Sequence, residues 1–390
     1  MIKKFFMSII FSAILILNSA VYAAENFPEI LATSAILIES STGRVIFEKN
    51  ADEFRSPASM TKIMTCILGI ENLSPTTEIK ISSEAANTEF SDLHLQTGEI
   101  ISADNLMLGT MLVSDNGGAV AIAQAVGGNI SNFAKMMNDK AKEIGCENTN
   151  FVNPNGLTVQ NHGSTARDMS KIAAYCMKNE TFRRYVGTTL GTIQVTNPPQ
   201  NFTALNTNKL LETYQGLNGI KTGYTYAAGG CLASSAKRGD IELISIVMNS
   251  PTNDTRFDDS VKILDYGFAK VDYVKKIEIG EIDQIVFVRG GKSGTLHVEP
   301  TEDLYFPIFK DEDEKLLTIT YDLPKIVDAE IKRGDIIGEA ILNYDGKKVA
   351  SVQLAAVENI SEGFSFSSAI VAFSENFSGK TQNFLLNLVA

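Results

Sequence analysis

Ser59 and Lys62 stand three residues apart in the segment SPASMTKIMTC, Ser56 to Cys66. Residues at that spacing share one face of an α-helix, and Ser56-Pro57 ahead of an apolar run is a helix-start signal. The spacing therefore predicts a hydroxyl beside an amine in the first turn of one helix. Such a pair can serve as nucleophile and base once the amine is neutral. Alone, S-x-x-K is a weak signal, met equally by an exposed lysine that happens to lie near a serine. Acyl transfer also needs a proton route to the leaving group, and donors for the acyl oxygen and any substrate carboxylate.

Two further segments supply those parts. Ser114-Asp115-Asn116 follows Ser59 by 55 residues, between Met111-Leu112-Val113 and Gly117-Gly118; Lys221-Thr222-Gly223 follows 107 residues later, after Gly219-Ile220 and inside an expected strand. Each tripeptide is ordinary by itself. In this order and setting they form the S-x-x-K, S-D-N, K-T-G set of class A β-lactamases and penicillin-binding proteins. A Ser-His-Asp hydrolase is the competing chemistry. It would have to use His94, His162 or His297, and no G-x-S-x-G elbow accompanies them. His162, just before Ser164-Thr165-Ala166-Arg167-Asp168, reads as structural.

The elements that must hold these groups follow from periodicity. Ala35 to Ile38 and Val45 to Phe47 flank Ser40-Ser41-Thr42-Gly43 as an opening hairpin. From Pro57 to about Arg184 the pattern is mostly helical. Strands return at Leu217 to Tyr224, Cys231 to Ala236 and Ile241 to Met248, and a helix is expected from Arg256 to Phe268. Strands from both ends around a helical middle make one sheet with helices packed on it. Beyond about Tyr273, short alternating runs such as Gln284 to Val288 and Val349 to Leu354 predict a small all-β domain. Its acidic run, Asp311 to Glu314, reads as a solvated loop.

At 390 residues two domains are expected, behind a leader of 23 residues: Lys3 and Lys4, an apolar block from Phe5 to Leu17, and small residues reaching Ala23. That is a secretory signal peptide, with an uncleaved anchor as the alternative. The full chain carries −12, and losing Lys3 and Lys4 makes the remainder more acidic still, so nucleic acid is not an expected partner. Four scattered cysteines permit disulfides and lack the spacing of a metal site; no metal or cofactor is expected. Cys66, on the face of Ser59 and Lys62, reads as a small buried residue. At the C-terminus, Ile370, Phe373, Phe377, Phe384, Leu385 and Leu388 fall on one helical face, an amphipathic helix over residues 364–390 that could lie on a membrane surface or pack on protein.

With these motifs in place, the sequence resembles the serine D-alanyl-D-alanine carboxypeptidases, the low-molecular-mass penicillin-binding proteins. The likeness runs over about residues 30 to 360, through SAILIESSTGRVIFEKN, RSPASMTKIMT, FVNPNGL with STARDM, GIKTGYTYAAGG and TRFDDSVKILDYGF. It implies a serine β-lactamase/transpeptidase-like α/β domain, with an antiparallel sheet, flanking helices and a helical subdomain, over residues 24–270. A β-sandwich-like domain would follow over 274–360. It implies removal of the terminal D-alanine from peptidoglycan stem pentapeptides outside the cytoplasmic membrane, and covalent inhibition by β-lactams.

Carried over by motif, Ser59 is the nucleophile and Lys62 the general base, kept neutral by burial and by a neighbouring cation such as Lys221. Ser114 passes a proton to the leaving D-alanine, and Asn116 binds the peptide and orients Lys62. Lys221 and Thr222 face the substrate carboxylate, with Arg256 either helping them or simply starting a helix. Gly223 leaves room for an extended peptide along the strand edge. The backbone N–H groups of Ser59 and Tyr224 form the oxyanion hole. Tyr224 stands where some members have histidine, and Thr207 where some have arginine. The alternatives are a non-catalytic wall-binding or β-lactam-sensing protein, a D,D-endopeptidase, and a β-lactamase, for which no E-x-x-L-N segment is found. Oligomeric state is not legible.

Overall fold

The computed structural model describes residues 27–280 and 284–389, so the expected signal peptide lies outside the described residues. The opening hairpin forms as β1 (Ser34–Glu39) and β2 (Val45–Lys49). Two small strands inside the helical middle, β3 (Glu78–Lys80) and β4 (Ile100–Ser102), join the hairpin β5 (Leu190–Asn197) and β6 (Gln200–Leu205) in a four-stranded sheet. That second sheet is not foreshadowed by the apolar runs, because its strands are short and mostly solvent-facing.

The main sheet adds β7 (Leu217–Thr225), β8 (Gly229–Arg238) and β9 (Ile241–Ser250), in the antiparallel order β2-β1-β9-β8-β7. Both faces of its centre are covered, which is why β1 and β9 read as continuous apolar runs. The period of two divides them between two cores. Ile36, Ile38, Ile244 and Ile246 face the helical middle, whereas Ala35, Leu37, Leu243 and Val247 pack beneath the helix Thr255–Lys270 through Phe257, Ile263 and Leu264. Among the described residues, β7 is an edge strand of this sheet.

The all-β region contains β10 (Val271–Ile277), β11 (Gln284–Arg289), β12 (Thr295–Pro300), β13 (Leu304–Phe309), β14 (Leu317–Asp322), β15 (Ile326–Asp328), β16 (Ile336–Tyr344) and β17 (Lys347–Ala356). β10 pairs with β13, and the other six form one sheet around Val286, Val288, Leu296, Val298 and Leu354. The acidic run beside it is more than a solvated loop. Glu312 accepts from Arg44 at 2.5 Å, and the Arg44 guanidinium lies 4.3 Å from the Phe309 ring centroid, tying the turn after β1 to the second domain. Glu314 pairs with Lys276.

Two further expectations change. The C-terminal segment forms two short helices, Phe366–Ser374 and Gly379–Leu386, rather than one. The run is interrupted over residues 375–378, where Ser378 takes extended backbone (φ −135°, ψ 163°), and Gly379, with left-handed φ of 60°, opens the second helix. Neither helix is long and apolar enough to cross a membrane. All four cysteines are free thiols, and Cys66 is buried as expected.

Candidate active site

The nucleophile segment is tighter than an ordinary helix start. Ala58–Thr61 forms a 3₁₀ turn that runs directly into the helix Lys62–Asn72. In a 3₁₀ turn, residues i and i+3 eclipse, and Lys62 Nζ accordingly lies 2.9 Å from Ser59 Oγ. Ala58, just before the serine, has φ 47°, a strained conformation of the kind that gathers at functional sites.

Lys62 is fully buried. Besides Ser59 it meets two carbonyl oxygens, Asn116 Oδ1 at 2.6 Å and the main chain of Asn155 at 2.7 Å. The Asn116 amide cannot be reversed without loss, because its Nδ2 donates to the Glu89 carbonyl at 2.8 Å. Burial pulls the Lys62 amine down to about 7, against the opposing pull of the Asp115 and Asp92 carboxylates.

Asn116 opens the helix Asn116–Gly127, which Asp115 caps by accepting from Gly118 N at 2.5 Å. Ser114 ends the preceding helix, Ala103–Val113, with left-handed backbone (φ 65°). It is half-buried, and it is not one of the three partners of Lys62.

β7 forms the opposite wall. Lys221 is buried, and its amine is held well below the ordinary lysine range by burial first, then by Lys62 and Arg256. Burial is the first cause for both amines, and the repulsion between Lys62 and Lys221 disfavours charging both at once. Thr222 Oγ1 lies 2.6 Å from Thr207 Oγ1, so the threonine in place of an arginine orients the Thr222 hydroxyl. Arg256 is buried on the helix Thr255–Lys270, donates to the Gly223 carbonyl at 2.7 Å, and leaves its Nε without a partner among the described residues. It is a member of this wall and not merely a helix start.

Gly223 also lies against the nucleophile segment. A β-carbon there would stand 2.9 Å from the Pro57 oxygen and 3.0 Å from Ser59 N, so the missing side chain admits the nucleophile's own backbone. That close approach brings the N–H of Ser59 to the strand carrying Tyr224. The Tyr224 side chain is about half exposed at the mouth.

Residues 21–252 match the family profile described as D-alanyl-D-alanine carboxypeptidase. The chain belongs to that family. Residues 272–362 of the carboxypeptidase match the profile of the penicillin-binding protein 5 C-terminal domain. The D-alanyl-D-alanine carboxypeptidase DacF of Bacillus subtilis is 34% identical over 84% of this chain and 86% of its own. The solved penicillin-binding protein 5 of Haemophilus influenzae is 30% identical, covers 86% of this chain and 99% of its own, and superposes with a TM-score of 0.68. The solved D-alanyl-D-alanine carboxypeptidase DacD of Francisella tularensis is 29% identical, covers 89% of this chain and 99% of its own, and superposes with a TM-score of 0.63.

Some participants of the carboxypeptidase site were not picked out from sequence. Asn155 and Glu89 act through main-chain carbonyls, which carry no residue signature. The turn chemistry of Asn153-Pro154-Asn155-Gly156 is the signal that could have marked the first of them. His162 is the structural residue expected. Its Nδ1 accepts from Val152 N at 3.0 Å and its Nε2 lies 2.9 Å from Thr61 Oγ1, which pins the Asn155 loop to the nucleophile turn. Burial lowers its imidazole to about 4, keeping it neutral.

Proposed function

We propose that this serine carboxypeptidase removes the terminal D-alanine from peptidoglycan stem pentapeptides through an acyl-enzyme on Ser59. The observation that carries the reading is the set of partners around Lys62. A neutral amine has two N–H groups and one lone pair; the two carbonyls can only accept, so the lone pair is left for Ser59. The Ser59 hydroxyl then donates to Nζ, and its proton is taken as Oγ attacks the carbonyl of the penultimate D-alanine. The oxyanion forms against the N–H groups of Ser59 and Tyr224, and Ser114 passes the proton to the departing D-alanine. The terminal carboxylate is received by Lys221 and Thr222, with Arg256 beside them. Its negative charge offsets the burial, and the repulsion from Lys62 and Arg256, that hold the Lys221 amine down in the free enzyme. Water then resolves the ester.

Free D-alanine released from a diacetylated pentapeptide analogue, together with a penicilloyl adduct mapped to Ser59, tests the reading. Adduct formation without D-alanine release would favour a β-lactam sensor, and cleavage of dimeric muropeptides would add endopeptidase action. Asp115, the carboxylate that pulls hardest on the Lys62 amine, accepts from Gly118 N and Leu93 N and is not free to activate water. The benzylpenicillin adduct is accordingly expected to persist through a chase with excess unlabelled drug, followed by intact mass; rapid return of free enzyme would contradict this.

The leader and the substrate both support a place outside the cytoplasmic membrane. Exposed Phe366, Phe373 and Phe384 on the two C-terminal helices support anchoring on the membrane surface. Cell fractionation is expected to show membrane association that is lost when residues 364–390 are removed.

A further inference from the structure

Between the short helix Ser83–Ala86 and β4, the loop of residues 88–94 is fastened to the S-D-N segment at three successive positions. The Glu89 carbonyl accepts from Asn116 Nδ2 at 2.8 Å, Ser91 Oγ accepts from Gly117 N at 2.8 Å, and Leu93 N donates to Asp115 Oδ2 at 2.7 Å. Ser91 Oγ also donates to the Thr88 carbonyl at 2.7 Å, closing the turn around Phe90. Phe90 has φ 57° and is 75% exposed. A bulky side chain in left-handed backbone is an outlier that the surrounding bonds must enforce. The ring does not offset this by packing into the core, so its position is not explained by folding. It is held in solvent one residue from the carbonyl that fixes Asn116.

That placement decides which part of a substrate it meets. The carboxylate of the leaving D-alanine belongs to the Lys221 wall, so the acyl half of the substrate lies along the Asn116 wall. We propose that Phe90 is a specificity-determining residue, whose ring packs on the substituent attached to the acyl half. In a stem peptide this is the side chain of the residue before the penultimate D-alanine, and in a penicillin it is the 6-acylamino group. The inference rests on Ser59 being the nucleophile. The ring sets a preference for apolar or aromatic substituents, since an aromatic pair is favoured by face and edge contacts beyond simple burial.

The test compares second-order acylation of the full chain by benzylpenicillin and by 6-aminopenicillanic acid, which has the same reactive nucleus and no acyl substituent. The benzylpenicillin to 6-aminopenicillanic acid rate ratio is expected to fall about ten-fold in Phe90→Ala, the size of a lost aromatic contact, and to be restored in Phe90→Tyr. An equal fall for both compounds would mean that Phe90 acts only by holding Asn116, and would overturn the proposal. So would an unaltered pair of rates. Wild-type protein that reacts with neither compound would instead remove the Ser59 assignment on which the proposal rests.

Discussion

Ser59→Ala is expected to abolish both penicillin labelling and D-alanine release, and Lys62→Met to slow acylation roughly 10³-fold, within the range for removal of a general base. The effect of Lys62→Met should be almost entirely on the rate of the chemical step. Methionine fills much of the same buried volume, so the Asn116 and Asn155 carbonyls lose a donor while the turn itself stays packed. Lys62→Arg is no rescue, because a guanidinium is never neutral in this range and cannot accept a proton. The pH profile of the wild type gives an independent check. Below its pKa the Lys62 amine is protonated and cannot act as base; above it the amine is neutral. Acylation should therefore rise as pH passes through about 7, where burial has brought that amine. A rise near 10.5, the value of a lysine in water, would count against Lys62 as the base.

Gly156→Ala is expected to cost about 3 kcal/mol of stability, from left-handed backbone and overpacking together, and to slow acylation roughly 100-fold through displacement of the nucleophile. At this glycine φ is 87°, and a β-carbon would stand 1.9 Å from the Ala58 oxygen and 3.0 Å from Ser59 N. Either the Asn155 loop or the nucleophile turn must move, and both carry contacts to Lys62. Gly145→Ala separates the two effects, since Gly145 has φ 89° and a β-carbon added there would meet nothing within 4 Å. It should cost only the backbone penalty and leave acylation as it is. Thermal melts and penicillin acylation rates on the two variants check this; equal behaviour would show that contact with Ala58 is immaterial.

Thr207 takes on a different meaning once the fold is known. It stands where some members of the family have an arginine, which on sequence alone leaves the detailed substrate preference open. In the fold, its hydroxyl meets that of Thr222 at 2.6 Å, and Arg256 occupies the same wall from a different helix. In the proposed mechanism the positive charge comes from Lys221 and from Arg256 on the Thr255–Lys270 helix, and Thr207 contributes orientation.

What the chain determined by itself was the chemistry and most of the architecture. The S-x-x-K, S-D-N and K-T-G segments are local patterns of residue type, and the continuous apolar runs of β1 and β9 follow from a sheet covered on both faces. Both are legible because they depend on side chains close together in sequence. The remaining features depend on groups brought together from far apart. The carbonyls of Asn155 and Glu89 set the hydrogen-bonding of Lys62 and Asn116, yet any residue supplies a carbonyl, so no pattern marks them. Gly223 could be seen as a gap, but only packing shows that Pro57 to Ser59 fill it. The neutral state of Lys62 was expected from its chemistry, but the burial that chiefly produces it is a property of the folded surroundings. The Ser59–Lys62 pair was written in the sequence; its readiness to react comes from the enclosure that distant segments build around it.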